Sequence, residues 1–74
     1  MSTNLTKGQK LVGLTFNPSG DDQVIKLKLA CANAIDILLE EKPRSPEARR
    51  FIRFAIDSIV TGQMCGVKAQ TWKE

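Results

Sequence analysis

SPEARRFIRFAIDSIVTGQMCGVKAQTW, residues 45–72, reads as one long helix. Pro46 suits a first helical turn, where its missing N–H leaves nothing unpaired. Ser45 precedes it as an N-cap candidate, and Glu47 sets a negative charge at the positive end of the helix dipole. Ala48, Ile52, Ala55, Ile56, Ile59, Gly66 and Ala69 recur at helical spacing and predict a buried seam. Arg50, Arg53, Asp57, Thr61 and Lys68 gather opposite, with Phe54 and Trp72 at the edge of that polar side.

Two details depart from a plain two-faced helix. Gly62 and Gly66 lie four apart, and each costs about 0.8–1 kcal/mol relative to alanine inside a helix. They are either tolerated weak points or places where another backbone or a ligand comes close. Gln63 and Gln70 point into the apolar sector, where buried amides require partners. A neighbouring subunit or a polar ligand would supply them.

Upstream, Lys42-Pro43-Arg44-Ser45-Pro46 is the interior linker, its prolines ending one helix and starting the next. A first helix is expected over 21–41. Val24, Leu27, Cys31, Ala34, Ile35 and Leu38 form its main seam, and Ile25, Leu29, Ala32 and Leu39 a second apolar strip. One partner helix cannot cover both strips, which predicts self-association. Lys28 lies between the strips. It either snorkels to water or meets an anion in a pocket between subunits. Asn17-Pro18-Ser19-Gly20 is a turn signal, and Ser19 with Asp22 resembles a capping box. Leu11–Phe16 has no second strand to pair with, and Gly13 weakens a strand there. It reads as an extended arm, preceded by a loose polar segment over 1–10.

The chain has 74 residues, two cysteines and no histidine. A core of this size gives marginal stability. Cys31 and Cys65 lack zinc-like spacing and fall at different levels of the hairpin, so buried, reduced thiols are expected. No apolar run approaches the roughly 18 residues of a membrane span, and no export signal is visible, which points to the cytoplasm. A net charge of +3 with a pI near 9.1 slightly favours phosphate-bearing partners.

Without histidine, Ser-His and Cys-His catalysis is excluded. No acidic pair stands out as an acid–base couple, and Gly-rich phosphate loops are missing. Asp57, four residues from Arg53, reads as its ion-pair partner. The expectation is a binding protein, with no catalytic residue, cofactor or metal. Lys28, Arg50, Arg53 and Lys68 can neutralise phosphates; Phe16, Phe54 and Trp72 can stack on bases; Asn17, Gln63, Gln70 and Thr71 can read polar edges.

The segments LVGLTFNPSGDDQVIKLK and IVTGQMCGVKAQTWK resemble the small phage hairpin-domain proteins that act as anti-defence sponges, among them the anti-CBASS and Thoeris anti-defence sponges. The similarity covers about residues 8–73. It rests on an N-P-S-G-D-D turn into helix one and a Q-M-x-x-V-K-x-x-T-W ending of helix two. The resemblance implies a helical hairpin assembling as a hexamer in the host bacterial cytoplasm. It implies capture of cyclic oligonucleotides or cyclic ADP-ribose isomers between subunits, without hydrolysis. Position by position, Phe16 is similar to the family's aromatic before helix one, Lys28 to its early helix-one lysine, and Lys68 to the basic residue after the methionine.

The expected fold is therefore all-α: a single antiparallel two-helix hairpin, helix one over 21–41 and helix two over 45–72, with an extended N-terminal arm over 1–18, assembling as a homo-oligomer. The ligand-binding candidates are Phe16, Asn17, Lys28, Arg53, Lys68 and Trp72. The alternative is a small basic nucleic-acid-binding or regulatory helical oligomer.

Overall fold

A computed structural model describes residues 4–17 and 20–73. Three helices account for the regular structure there: α1 (Lys7–Leu11), α2 (Asp22–Glu40) and α3 (Pro46–Gln70). The two long ones are the expected hairpin. Ser45 caps α3 as its spacing predicts, its Oγ accepting from the Ala48 N–H at 3.1 Å, with Pro46 at the first helical position. The cap of α2 is Asp21, whose carboxylate accepts from the Gln23 N–H at 2.8 Å. The expected Ser19 cap lies outside the described residues, as does the Pro18-Ser19 centre of the turn.

The N-terminal segment is not an extended arm. Thr6 and Gln9 form a reciprocal capping box: Thr6 Oγ1 accepts from the Gln9 N–H at 3.1 Å, and Gln9 Oε1 accepts from the Thr6 N–H at 3.0 Å. These two bonds start a helix that length alone would leave marginal. Gly13 stops it. At φ +64° it takes the left-handed conformation that glycine adopts without a Cβ penalty. The Leu14 N–H then donates to Gln9 O at 3.0 Å and the Gly13 N–H to Lys10 O at 3.1 Å. This is the Schellman pattern. The glycine that weakens a strand is here a helix terminator.

Two tethers hold this N-terminal hook on α2. The Gly8 N–H donates to Asp36 Oδ1 at 2.8 Å. Gly8 is buried so closely that a Cβ would meet the Ala32 carbonyl and stand 2.6 Å from Asp36 Oδ1. The second tether is Lys28, whose Nζ donates to Gly13 O at 2.8 Å and to Phe16 O. The hook thus covers Ala32, part of the second apolar strip, within a single chain. Val12, Ala32 and Ile35 form the innermost core, with Leu14, Cys31, Ile56, Ile59 and Val60 packed against it.

The predicted α3 seam is only half buried, and Ala69 is exposed. Gly66 does mark a close approach, but the neighbour is Leu27 of α2, whose Cδ2 would stand 2.6 Å from an added Cβ. Around Gly62 nothing lies within 4 Å. Cys31 is half-buried and Cys65 exposed, and both thiols are free, so the expectation of two buried thiols holds in part for Cys31 and fails for Cys65. No helix is long and apolar enough to cross a membrane among the described residues.

The molecule measures 44 × 35 × 14 Å. Most domains close a core between two layers; here α1 and α3 both pack on α2, and the hook, α2 and α3 meet in one small core. Leu11, Phe16, Ile37, Phe51, Phe54 and Met64 are accordingly exposed.

Candidate functional site

A groove of about 390 Å³ runs between the hook and α3. Lys10, Leu11, Val12, Gly13 and Phe16 form one wall, Gln63, Met64 and Val67 the other, and Lys28 of α2 reaches it from below. The Schellman turn builds the first wall by reversing the chain at Gly13. The second follows from helical spacing, since positions 63, 64 and 67 share one side of α3. Among the described residues two cations and no carboxylate line it, so its potential favours an anion.

Lys28 is only 4% exposed, so it does not snorkel. Its ammonium has three donors. Two are engaged by the Gly13 and Phe16 carbonyls, and the Phe16 ring centroid lies 5.6 Å from Nζ. Lysine is thus both the anchor of the hook and the positive charge beneath the groove. Phe16 is 73% exposed, its ring a free platform at the edge.

Gln63 is the buried polar residue of α3, at 4% exposure. Its amide makes no hydrogen bond to another described residue. No fully buried side-chain N or O among those residues lacks a partner, so the amide atoms must still touch the solvent of the groove they line. The other amide of the apolar sector is satisfied: Gln70 Nε2 donates to Gln23 O at 3.0 Å.

Phe16 and Lys28 therefore line the same groove. Asn17 adjoins it as the residue that closes the turn. Its Nδ2 donates to Asp21 O at 3.2 Å and its carbonyl accepts from the Gly20 N–H at 3.1 Å. Lys68 and Trp72 pair with each other near the end of α3, the Lys68 Nζ 5.6 Å from the indole centroid, and neither lines the groove. The Thr71 hydroxyl donates to Val67 O at 2.9 Å and so completes the helix end.

Arg53 lies elsewhere, in a separate groove of about 500 Å³ with Lys7, Leu11, Leu39, Pro43, Arg49, Ile52, Ile56 and Asp57. Its expected ion pair with Asp57 does not form within 4.0 Å. The order explains this in part: an acidic residue preceding a basic one by four positions is the favourable arrangement on a helix, and here it is reversed. Lys10 and Met64 belong to the first groove without having been singled out by the sequence. Lys10 falls in a stretch whose polarity suggests a loose terminus, although T-K-G-Q over 6–9 carries the capping-box signature.

Comparison with known protein families, curated proteins and solved structures finds no match to this chain.

Proposed function

We propose that this protein is a self-associating helical sponge that binds and sequesters cyclic nucleotide second messengers without cleaving them. The observation that carries the reading is Gln63. This largely buried residue has no side-chain hydrogen-bond partner among the described residues, and its amide lines a cationic groove beside Lys28 and Phe16. Facing the solvent of the groove, this amide is free to exchange water for a ligand or a second subunit. Phe16 offers a face for a base, Gln63 a donor and acceptor for its edge, and Lys10 with the third Lys28 proton a place for phosphate. The exposed large apolar residues support self-association, and with it a groove closed by a neighbouring subunit. The sequence resemblance supports the same ligand class.

The mechanism is mass action. A sponge present above the messenger's concentration, and binding it more tightly than the effector does, holds the free messenger below threshold. Nanomolar affinity corresponds to about −12 kcal/mol. Native mass spectrometry against a panel of cyclic nucleotides tests the proposal, followed by heating to release the ligand. Intact recovered ligand is expected, with Gln63→Ala weakening binding about tenfold. Absence of binding at micromolar protein, or recovery of a cleaved product, refutes it.

A second reading is nucleic-acid binding. Arg44 of the linker and Arg49, Arg50 and Arg53 of the first half of α3 accompany exposed Phe51 and Phe54, and the Arg50 guanidinium carbon lies 5.4 Å from the Phe54 centroid. Affinity falling with salt at a log–log slope near −0.9 per phosphate marks that mode.

A further inference from the structure

The groove containing Arg53 lies at the Pro43 end of the molecule. Its floor is aliphatic and its rim carries Lys7, Arg49 and Arg53 against the one carboxylate of Asp57. Arg49 and Arg53 stand four residues apart, where like charges destabilise a helix. Among the described residues, none of the four charged side chains has a hydrogen-bond partner, or an ion-pair partner within 4.0 Å. The floor offers no aromatic side chain for stacking, so this groove lacks what the Phe16 groove presents to a base.

At the other end of the molecule α2 opens with a stripe of matching pattern. Asp22, Ile25, Lys26 and Leu29 are all exposed, Ile25 at 36% and Leu29 at 40%. Asp22 and Lys26 have no ion-pair partner among the described residues. Their spacing repeats that of Arg53 and Asp57 with every sign reversed. Laid parallel on α3, Asp22 meets Arg53, Lys26 meets Asp57, and Ile25 falls beside Ile56.

We infer that the Arg53 groove is the docking site for a second copy of this chain, whose Asp22–Leu29 stripe seats in it. The contact is head-to-tail, because groove and stripe lie on different parts of one molecule. Such a contact closes into a ring or propagates as a filament. Charge pairs at the rim set register and partner, and the aliphatic centre supplies most of the attraction. The inference rests on the self-association just proposed and deepens it by naming the two surfaces.

Charge reversal tests it. Asp22→Arg and Arg53→Asp are made singly and together. Mass is measured by analytical ultracentrifugation across protein concentration, with far-UV circular dichroism confirming helix content. Each single variant is expected to weaken assembly about tenfold or more, since like charges then face each other. The double variant is expected to restore the wild-type mass. Singles that assemble like wild type overturn the interface, as do singles that fall apart and are not rescued by the double. A wild-type protein that is monomeric at all concentrations overturns the self-association reading itself. Lys26→Glu with Asp57→Lys repeats the cycle one helical turn along and must show the same rescue if the parallel register is correct.

Discussion

Replacing Lys28 by methionine removes an ammonium and keeps the buried stem. Two hydrogen bonds vanish, to Gly13 O and Phe16 O, together with the Phe16 ring contact. A hydrogen bond to a charged group contributes about 1.5–3 kcal/mol net, so the pair represents about 3–6 kcal/mol. Burying an ammonium carries an opposing desolvation cost of several kcal/mol, part of which methionine relieves. The expected net loss is about 2–3 kcal/mol. In a domain of this length each kcal/mol lowers Tm by about 4–8 °C, which gives a fall of about 10–20 °C. Cores this small seldom supply more than about 3–5 kcal/mol, so the variant should stand close to unfolding. Urea titration followed at 222 nm, at one fixed protein concentration, reads the loss directly. Lys26→Ala is the control: it is exposed, and a change within about 0.5 kcal/mol is expected there. If Lys28→Met unfolds within about 0.5 kcal/mol of wild type, the ammonium does not hold the hook, and the anchoring role is wrong.

Gly62→Ala should stabilise α3 by up to about 1 kcal/mol, because nothing within 4 Å resists a Cβ there. Gly66→Ala should gain less or lose stability, because Leu27 must move; equal gains in thermal melts would show that Leu27 does not pack on Gly66. Gly8→Ala should cost about 1–3 kcal/mol by lifting α1 from the Ala32 carbonyl, and amide exchange that leaves residues 7–11 as protected as in wild type would contradict this. Ser45→Ala should cost about 1 kcal/mol through loss of the bond to the Ala48 N–H, measurable as a lowered urea midpoint with unchanged slope.

The long helices were legible because their signals are local. Ser45-Pro46 begins α3 where its capping chemistry places it, and the prolines of the linker separate it from α2. The hook is not legible because five residues are too few for a periodic pattern, and Gly13 reads in sequence as a poor strand residue although it terminates a helix. Lys28 was legible as an oddity in an apolar arc. Its role was not, because the carbonyls it bonds lie 12 and 15 residues away and depend on a turn set by Gly13. Gln63 and Gln70 looked alike in sequence. Only the three-dimensional arrangement separates them, by giving Gln70 the Gln23 carbonyl and leaving Gln63 at the groove.

That α1 and α3 each pack chiefly on α2 has a consequence for how the chain opens. Substantial packing joins α2 to each outer helix, and little joins the outer helices to each other. Such an arrangement behaves as a short series of nearest-neighbour links, as stacked repeats do. Detaching α1 leaves the α2–α3 link standing, whereas parting α2 from α3 removes the main support of both. Hydrogen exchange should therefore resolve two openings. The amides of residues 8–14 should exchange first, in one step short of global unfolding that carries the groove wall away with them. Those at the centre of α2 should exchange only when the whole molecule unfolds. A site built on the weaker link can be dismantled and rebuilt without unfolding the protein that carries it.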